Sequence, residues 1–391
     1  MKRHDHSLSE NTAAKKSNEK PQSNNYLFYR GAIPLLFMFL VIIGLGAMYV
    51  LNTNRINGDN GSKVKIFSDG QILYLTDNRK LYSYDSISKD IKLVIDEPVY
   101  EFYANDKYYF YYSRTGFYYQ DIATKEKYRI ADNAFEIIEH QGAIYFVEYK
   151  DEDIYNPLDE RNLIGQKKWV TLYQFTIADE TLTKIKSEYH HDDYLTHKIK
   201  DISITDLFIL NDGLFYRNAS GISYLSLDGA LDTRIYQSDG RIGHLDWFGD
   251  KFYCIEHIEW NPADPMEVKI DEGLFFTIIS LNGGEISSCR LPDEHYSIYE
   301  EMVFDPKSNV YWSMLGEHLV TFSPANPTDF TPVAKIERTT EQNLFELIMV
   351  GSSIYIAAYD GTAHRNNDFC IMNVSDQNEV ITIITNGKAV R

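Results

Sequence analysis

Four polar segments of this 391-residue chain bring carboxylates, imidazoles and large aromatic rings close together in sequence. The first holds Asp151, Glu152, Asp153 and Tyr155, and the second is the run His190, His191, Asp192, Asp193. The third holds Glu256, His257, Glu259 and Trp260, and the fourth Asp360 and His364. Carboxylates and imidazoles are ligands for divalent cations, and an indole or phenol ring offers a flat face to a sugar. Paired carboxylates also carry glycoside hydrolysis when their separation suits it. Spacing argues against a metal centre, because neighbouring residues of one loop rarely converge on a single ion and the His-His-Asp-Asp run has no recurring ligand spacing. Neither a metal nor a cofactor is therefore expected. The residues expected to bind a ligand are Tyr155, His190, His191, Asp192, Asp193, Glu256, His257, Trp260, Asp360 and His364.

Motifs of known catalytic chemistry are missing. The chain has no Ser-x-Asp-x-Gly-x-Thr-Trp box, no Gly-x-Ser-x-Gly nucleophile elbow and no tryptophan docking repeat. A binding or scaffolding role is favoured, and a surface enzyme using the carboxylates above is the alternative.

The elements that position these residues are written as a repeat. Seven times after residue 64 a turn residue precedes an apolar pair ending in an aromatic, centred on Tyr74, Tyr109, Tyr145, Phe215, Tyr253, Tyr311 and Tyr355. Units fall at 64–96, 99–132, 134–189, 202–238, 243–293, 297–338 and 344–385, each with four strand-like runs. In the fourth, Asn211-Asp212-Gly213 and Asp228-Gly229 supply the positive backbone angles that tight hairpins require. Four antiparallel strands per unit, repeated in units that cannot bury their faces alone, predict an all-β, seven-bladed β-propeller over residues 64–386. Six or eight blades are the neighbouring alternatives, because the third and fifth units are long. A single sandwich would need a core of about 330 residues, above the usual size, and would not explain the repetition.

Propeller topology assigns the long insertions to a side. Loops from second to third strand, and from fourth strand to the next blade, emerge on one face. Residues 150–168, 257–272, 360–368 and 187–201 therefore share one rim, which carries the candidate residues. The aromatic wealth, 30 tyrosines and 21 phenylalanines, is assigned to packing between blades rather than to a sugar platform.

Residues 31–51 (GAIPLLFMFLVIIGLGAMYVL) run without a charge. At about 1.5 Å per helical residue they match a hydrocarbon core of roughly 30 Å, so one transmembrane helix through the lipid bilayer is expected. Lys2, Arg3, Lys15, Lys16, Lys20 and Arg30 precede it, which places the N-terminus in the cytoplasm and the large domain outside the cell. Residues 1–30 are read as a disordered tail and 52–63 as a linker. A cleaved signal peptide is the competing reading. The chain carries 38 basic and 57 acidic residues, and only six and three of these lie in the first 51, so the outer part is near −22. A domain of that sign repels phosphate backbones, and nucleic acid is not an expected partner. Three cysteines, Cys254, Cys289 and Cys370, exclude a disulfide framework and are expected free and buried.

Residues 214–229 (LFYRNASGISYLSLDG) resemble the strand–turn–strand phrase of YWTD-like propellers and of Gram-positive surface and lipoprotein propellers. Asp69 to Tyr74 with Lys80 to Asp85, and Ser353 to Ile356 with Phe369 to Met372, resemble the same phrase. The resemblance covers most of 64–385 and implies a non-catalytic extracellular module that binds an envelope protein, a peptide or a cell-wall glycan. The YWTD tetrad itself is absent.

Overall fold

The computed structural model describes residues 64–390 except 76–78, 157–158, 194–203, 211–212, 219, 259–271, 293–301, 337–343, 360–369, 375–377 and 386–387. At 154–156, 159–166, 190–193, 344–345 and 359 it describes the backbone alone. The tail, span and linker expected over 1–63 lie outside the described residues. Among the described residues there is no helix.

Blade 1 is built from β1 (Val64–Ile66), β2 (Gln71–Leu75), β3 (Leu81–Asp85) and β4 (Ile91–Ile95). Blade 2 has β5 (Val99–Ala104), β6 (Tyr108–Ser113), β7 (Gly116–Asp121) and β8 (Lys127–Ala131). Blade 3 has β9 (Phe135–His140), β10 (Ala143–Asn156), β11 (Asp159–Thr176) and β12 (Thr181–Asp193). Blade 4 has β13 (Thr205–Leu210), β14 (Gly213–Asn218), β15 (Gly221–Leu225) and β16 (Asp232–Gln237). Blade 5 has β17 (Arg241–Phe248), β18 (Lys251–Ile258), β19 (Gly273–Ser280) and β20 (Glu285–Leu291). Blade 6 has β21 (Met302–Asp305), β22 (Val310–Leu315), β23 (His318–Ser323) and β24 (Asn326–Lys335). Blade 7 has β25 (Leu344–Val350), β26 (Ser353–Tyr359), β27 (Cys370–Val374) and β28 (Val380–Thr385), with β29 (Lys388–Ala389) added to its outer edge.

Every sheet pairs its strands in sequence order, antiparallel throughout. All seven aromatic repeat positions fall on the second strand of a blade. That strand is interior to its sheet, so both its faces are covered and it is apolar on both. Alternate side chains then serve opposite neighbours. On β2, Leu73 and Leu75 pack toward blade 2, whereas Ile72 and Tyr74 pack toward blade 7. On β10, Ile144 and Phe146 join blade 2, and Tyr145 and Val147 join blade 4. Seven such seams exist, one between each successive pair of blades.

The seventh seam closes the ring. Val64, Ile66 and Tyr74 of blade 1 pack on Ala357, Ile371 and Ile384 of blade 7. No strand is exchanged, because each blade contributes its own four; side-chain burial makes the closure. The fold is a seven-bladed β-propeller, and the six- and eight-bladed alternatives are excluded. Cys254 and Cys370 are buried and in no disulfide, as expected, but Cys289 is exposed, because it lies on the outermost strand of its blade.

Polar staples reinforce the inner ends of consecutive seams. Lys65 Nζ donates to Ala104 O at 2.5 Å, and Ile137 N donates to Glu101 Oε1 at 3.0 Å. Leu207 N donates to Glu136 Oε2 at 3.4 Å, and Arg217 Nη1 donates to Ile242 O. Each links one blade to the next, satisfying buried backbone groups that no ladder reaches.

Candidate functional site

Blade 3 departs from the pattern of the others. Residues 150–168 and the start of 187–201 were expected to be loops. Instead β10 and β11 stay paired as far as Asn156 opposite Asp159, and β12 follows β11 as far as Asp193. The expectation failed for a physical reason. Residues 151–153 and 187–189 are exposed on both faces of the sheet, so this stretch carries no hydrophobic alternation and its polar sequence resembles a loop. Acids and bases face each other across the ladder instead, Asp151 opposite Lys168 and Glu152 opposite Lys167.

The ribbon bears an aromatic patch. Trp169 lies opposite Tyr189 with ring centroids 4.8 Å apart. Lys167 Nζ stands 4.5 Å from the Trp169 ring and 4.3 Å from that of Tyr189. Trp169 Nε1 donates to Glu152 Oε2 at 3.1 Å, which holds the indole upright, and Tyr189 is 56% exposed. A cation over an aromatic pair makes a rigid amphipathic surface.

At the foot of the ribbon the seam between blades 3 and 4 opens into a polar cleft of about 410 Å³. Lys186 and Glu188 of β12 line one wall; Ser223, Asp232 and Arg234 of blade 4 line the other. Lys186 Nζ lies 2.6 Å from Asp232 Oδ2, 2.8 Å from Glu188 Oε1 and 2.5 Å from the Tyr216 hydroxyl. Burial opposes the charge of Lys186, but the hydrogen bonds to Asp232, Glu188 and Tyr216 more than offset it and hold the ammonium above its ordinary pKa. The volume falls within the roughly 300 to 1,000 Å³ of small-ligand sites, although the lining is more polar than most.

The expected binding residues fare differently. On β12, His190, His191, Asp192 and Asp193 lie opposite Lys168, Lys167, Gln166 and Gly165. They are therefore ladder positions of a strand rather than residues of a loop. Tyr155 lies near the ribbon tip opposite Leu163, where the register is irregular. Trp260, Asp360 and His364 lie outside the described residues. Glu256 is corrected: it is 3% exposed inside the seam between blades 4 and 5, where Tyr236 Oη donates to it at 3.1 Å and Thr277 Oγ1 also donates. Its carboxylate is engaged within the fold and is not offered to the rim. His257, next in sequence, takes the opposite face of β18, and its carbonyl abuts Gly240 of the connection from blade 4. That contact, like the pairing of Asp193 with Gly165, confirms that these two kinds of connection share a face.

Sequence reasoning missed Trp169, Tyr189, Lys186 and Arg234. The pairing of Trp169 with Tyr189 had no simple signal, since the Phe175–Leu182 register carried straight on would set Glu188 opposite Trp169, and it is the bulge at Ile185 that brings Tyr189 there.

A second polar chain follows the innermost strands. The carboxyl of Glu101 is pushed up to about 8, by burial first and then by the nearby Glu136, and Glu136 is raised to about 7 by burial and by Asp206. Arg217 Nε pairs with Asp206 Oδ2 at 2.5 Å. His244 Nε2 lies 3.0 Å from Asp246 Oδ2; burial opposes its charge, yet Asp246 holds the imidazole above its ordinary pKa. Among the described residues no group of three or more His, Cys, Asp or Glu is arranged to hold a metal ion.

No family model matches the chain, and no curated protein matches it. Solved structures do. The AfRom2 CNH domain aligns with a TM-score of 0.47 at 9% identity, covering 76% of this chain and 90% of that one. The Neurospora crassa Pan2 WD40 domain aligns with a TM-score of 0.47 at 10% identity over 79% and 89%. Kluyveromyces lactis Hsv2 aligns with a TM-score of 0.47 at 10% identity over 82% and 95%. At such scores and identities these likenesses carry no functional argument, and the chain's own seams define its fold.

Proposed function

We propose that this chain is a membrane-anchored binding or scaffolding module, held by residues 31–51 with its N-terminus inside the cell, whose propeller presents the blade 3 rim to an envelope protein or peptide. One observation carries the reading. The cleft draws Lys186 and Glu188 from β12, the strand that runs on into the ribbon, and Asn218 and Ser220 from the end of blade 4 where β14 passes to β15; the Trp169–Tyr189 patch sits on the other face of that strand, and aromatic burial seals the neighbouring seam between blades 2 and 3. A rigid ring with one elaborated rim suits recognition, because binding then costs little ordering of the scaffold. The resemblance to Gram-positive surface propellers and the uncharged span support the extracellular placement. Glu256 is engaged by Tyr236 and Thr277, and Asp232 and Glu188 by Lys186, so none of these three carboxylates is free for glycoside chemistry.

The test is retention of envelope components by the full chain. Stoichiometric capture without chemical change, weakened by Tyr189→Ala, is the expected result. Release of a converted product would support the enzymatic alternative instead. Anchoring is checked separately by fractionation, where removal of residues 31–51 should free the chain from membranes.

A further inference from the structure

A feature repeated in three blades narrows the ligand chemistry of the cleft. The third strand begins with a glycine in blade 2 (Gly116), blade 4 (Gly221) and blade 5 (Gly273). The residue two further on pairs with an arginine of the fourth strand: Tyr118 with Arg129, Ser223 with Arg234, Phe275 with Arg290. The missing Cβ lets each guanidinium lie on the strand backbone, and a side chain at Gly221 would collide with both Arg234 and the Tyr236 carbonyl.

What lies three residues beyond the arginine differs. In blade 2 it is Asp132, whose Oδ1 stands 2.5 Å from Arg129 Nη2 and cancels its charge. In blade 4 it is Gln237. Arg234 Nη1 donates to Gln237 Oε1 at 2.9 Å and lies 3.3 Å from Asn218 Oδ1, so two neutral amides fix the guanidinium without neutralising it. Among the described residues no carboxylate pairs with Arg234, and Asp232, the nearest acid along its strand, is held by Lys186. The blade that lines the cleft is thus the one where an internal acid is replaced by an amide.

We propose that the cleft between blades 3 and 4 binds a peptide segment through one ligand carboxylate seated on Arg234. A planar guanidinium held at its edge is suited to a two-pronged carboxylate contact. The lining favours a peptide over a sugar. Its one aromatic ring, Tyr216, has its hydroxyl engaged by Lys186 and Asp232, whereas Asn218, Ser220 and Gln237 offer amide and hydroxyl partners. Lys186, Glu188, Asp232 and Arg234 together carry no net charge, so the cleft has no surplus of positive charge for a polyanion, and Arg234 is its one cation without a carboxylate partner among the described residues. This ligand assignment rests on the binding role above.

The experiment titrates the full chain calorimetrically with acetyl-Gly-Glu-Gly-amide and with acetyl-Gly-Gln-Gly-amide. The glutamate peptide should bind and the glutamine peptide should bind about tenfold more weakly or worse, as expected for loss of a charge-assisted hydrogen bond. Gln237→Glu installs the acid that blade 2 already carries. It should weaken the glutamate peptide by a similar factor while leaving the melting temperature unchanged or higher. Arg129→Gln, which removes the matching arginine of the sealed blade, should leave binding intact. Equal binding of the two peptides, no effect of Gln237→Glu, or binding of glucuronate in place of the peptide would overturn the proposal. If the peptides fail while the chain still captures an envelope component through the ribbon, this ligand is wrong and the binding role stands.

Discussion

Two neighbouring seams share an inner design and part company outside it. Between blades 2 and 3, Glu101 accepts from Ile137 N, and between blades 3 and 4, Glu136 accepts from Leu207 N. Farther out, Phe117 meets Phe146 at 4.8 Å, Tyr119 stacks on Tyr128 at 4.9 Å, and the Tyr119 hydroxyl donates to Glu180 at 2.9 Å, so the first seam is filled. At the second, Lys186, Asp232, Ser223 and Arg234 take that outer space and leave a cleft. The seam between blades 2 and 3 is closed with aromatic rings, and the outer part of the seam between blades 3 and 4 is lined with polar and charged groups.

The largest effect should come from emptying the filled seam. Phe117 is fully buried, and Phe117→Ala should cost about 3 to 5 kcal/mol, read as a fall in the urea midpoint. A change at the open seam should cost far less: Lys186→Met leaves two partly exposed carboxylates unpaired, about 1 kcal/mol after solvent screening. Comparable losses at both sites would erase the distinction.

Between these lies a pH effect from the shared inner layer. Glu101 and Glu136 hold protons in the folded ring that the unfolded chain, with an ordinary value of 4.5, has released. Their contribution is therefore fully present below about pH 4.5 and is lost as pH rises through 7 and then 8. Glu101 faces Glu136 and the amides of Glu136 and Ile137, and Glu136 faces Asp206, Arg217 and Leu207. Stability should decline from pH 5 to 8, and Glu101→Gln should flatten that slope by about 1.4 kcal/mol per pH unit. A slope unchanged in Glu101→Gln would show that the carboxyl is ionised in the fold. The smallest effect is expected on the ribbon, where Tyr189→Ala should alter stability by no more than about 0.5 kcal/mol while weakening capture.

Most of the ring was legible because its signal is a burial signal. The aromatic on each second strand must fill a seam, so Tyr74 through Tyr355 marked seven blades and their limits within a few residues. The ribbon was not legible, since residues 150–153 and 187–189 gain their structure from cross-strand hydrogen bonds and not from a covered face. Glu256 was misplaced because its neighbourhood in sequence is polar. Its parity with Phe252 and Cys254, both in the seam with blade 4, would have put it inside. Arg234 could not be recognised alone; only its comparison with Arg129 in a folded register shows that its charge is left over.

The most direct test of the rim as the ligand face is photo-crosslinking of the full chain in an envelope extract. A benzoylphenylalanine replaces Tyr189 on the ribbon in one protein and Tyr128, 40% exposed beside the filled seam, in another. The account predicts a discrete adduct from position 189 and none from position 128; an adduct from 128 alone, or from neither, would contradict it.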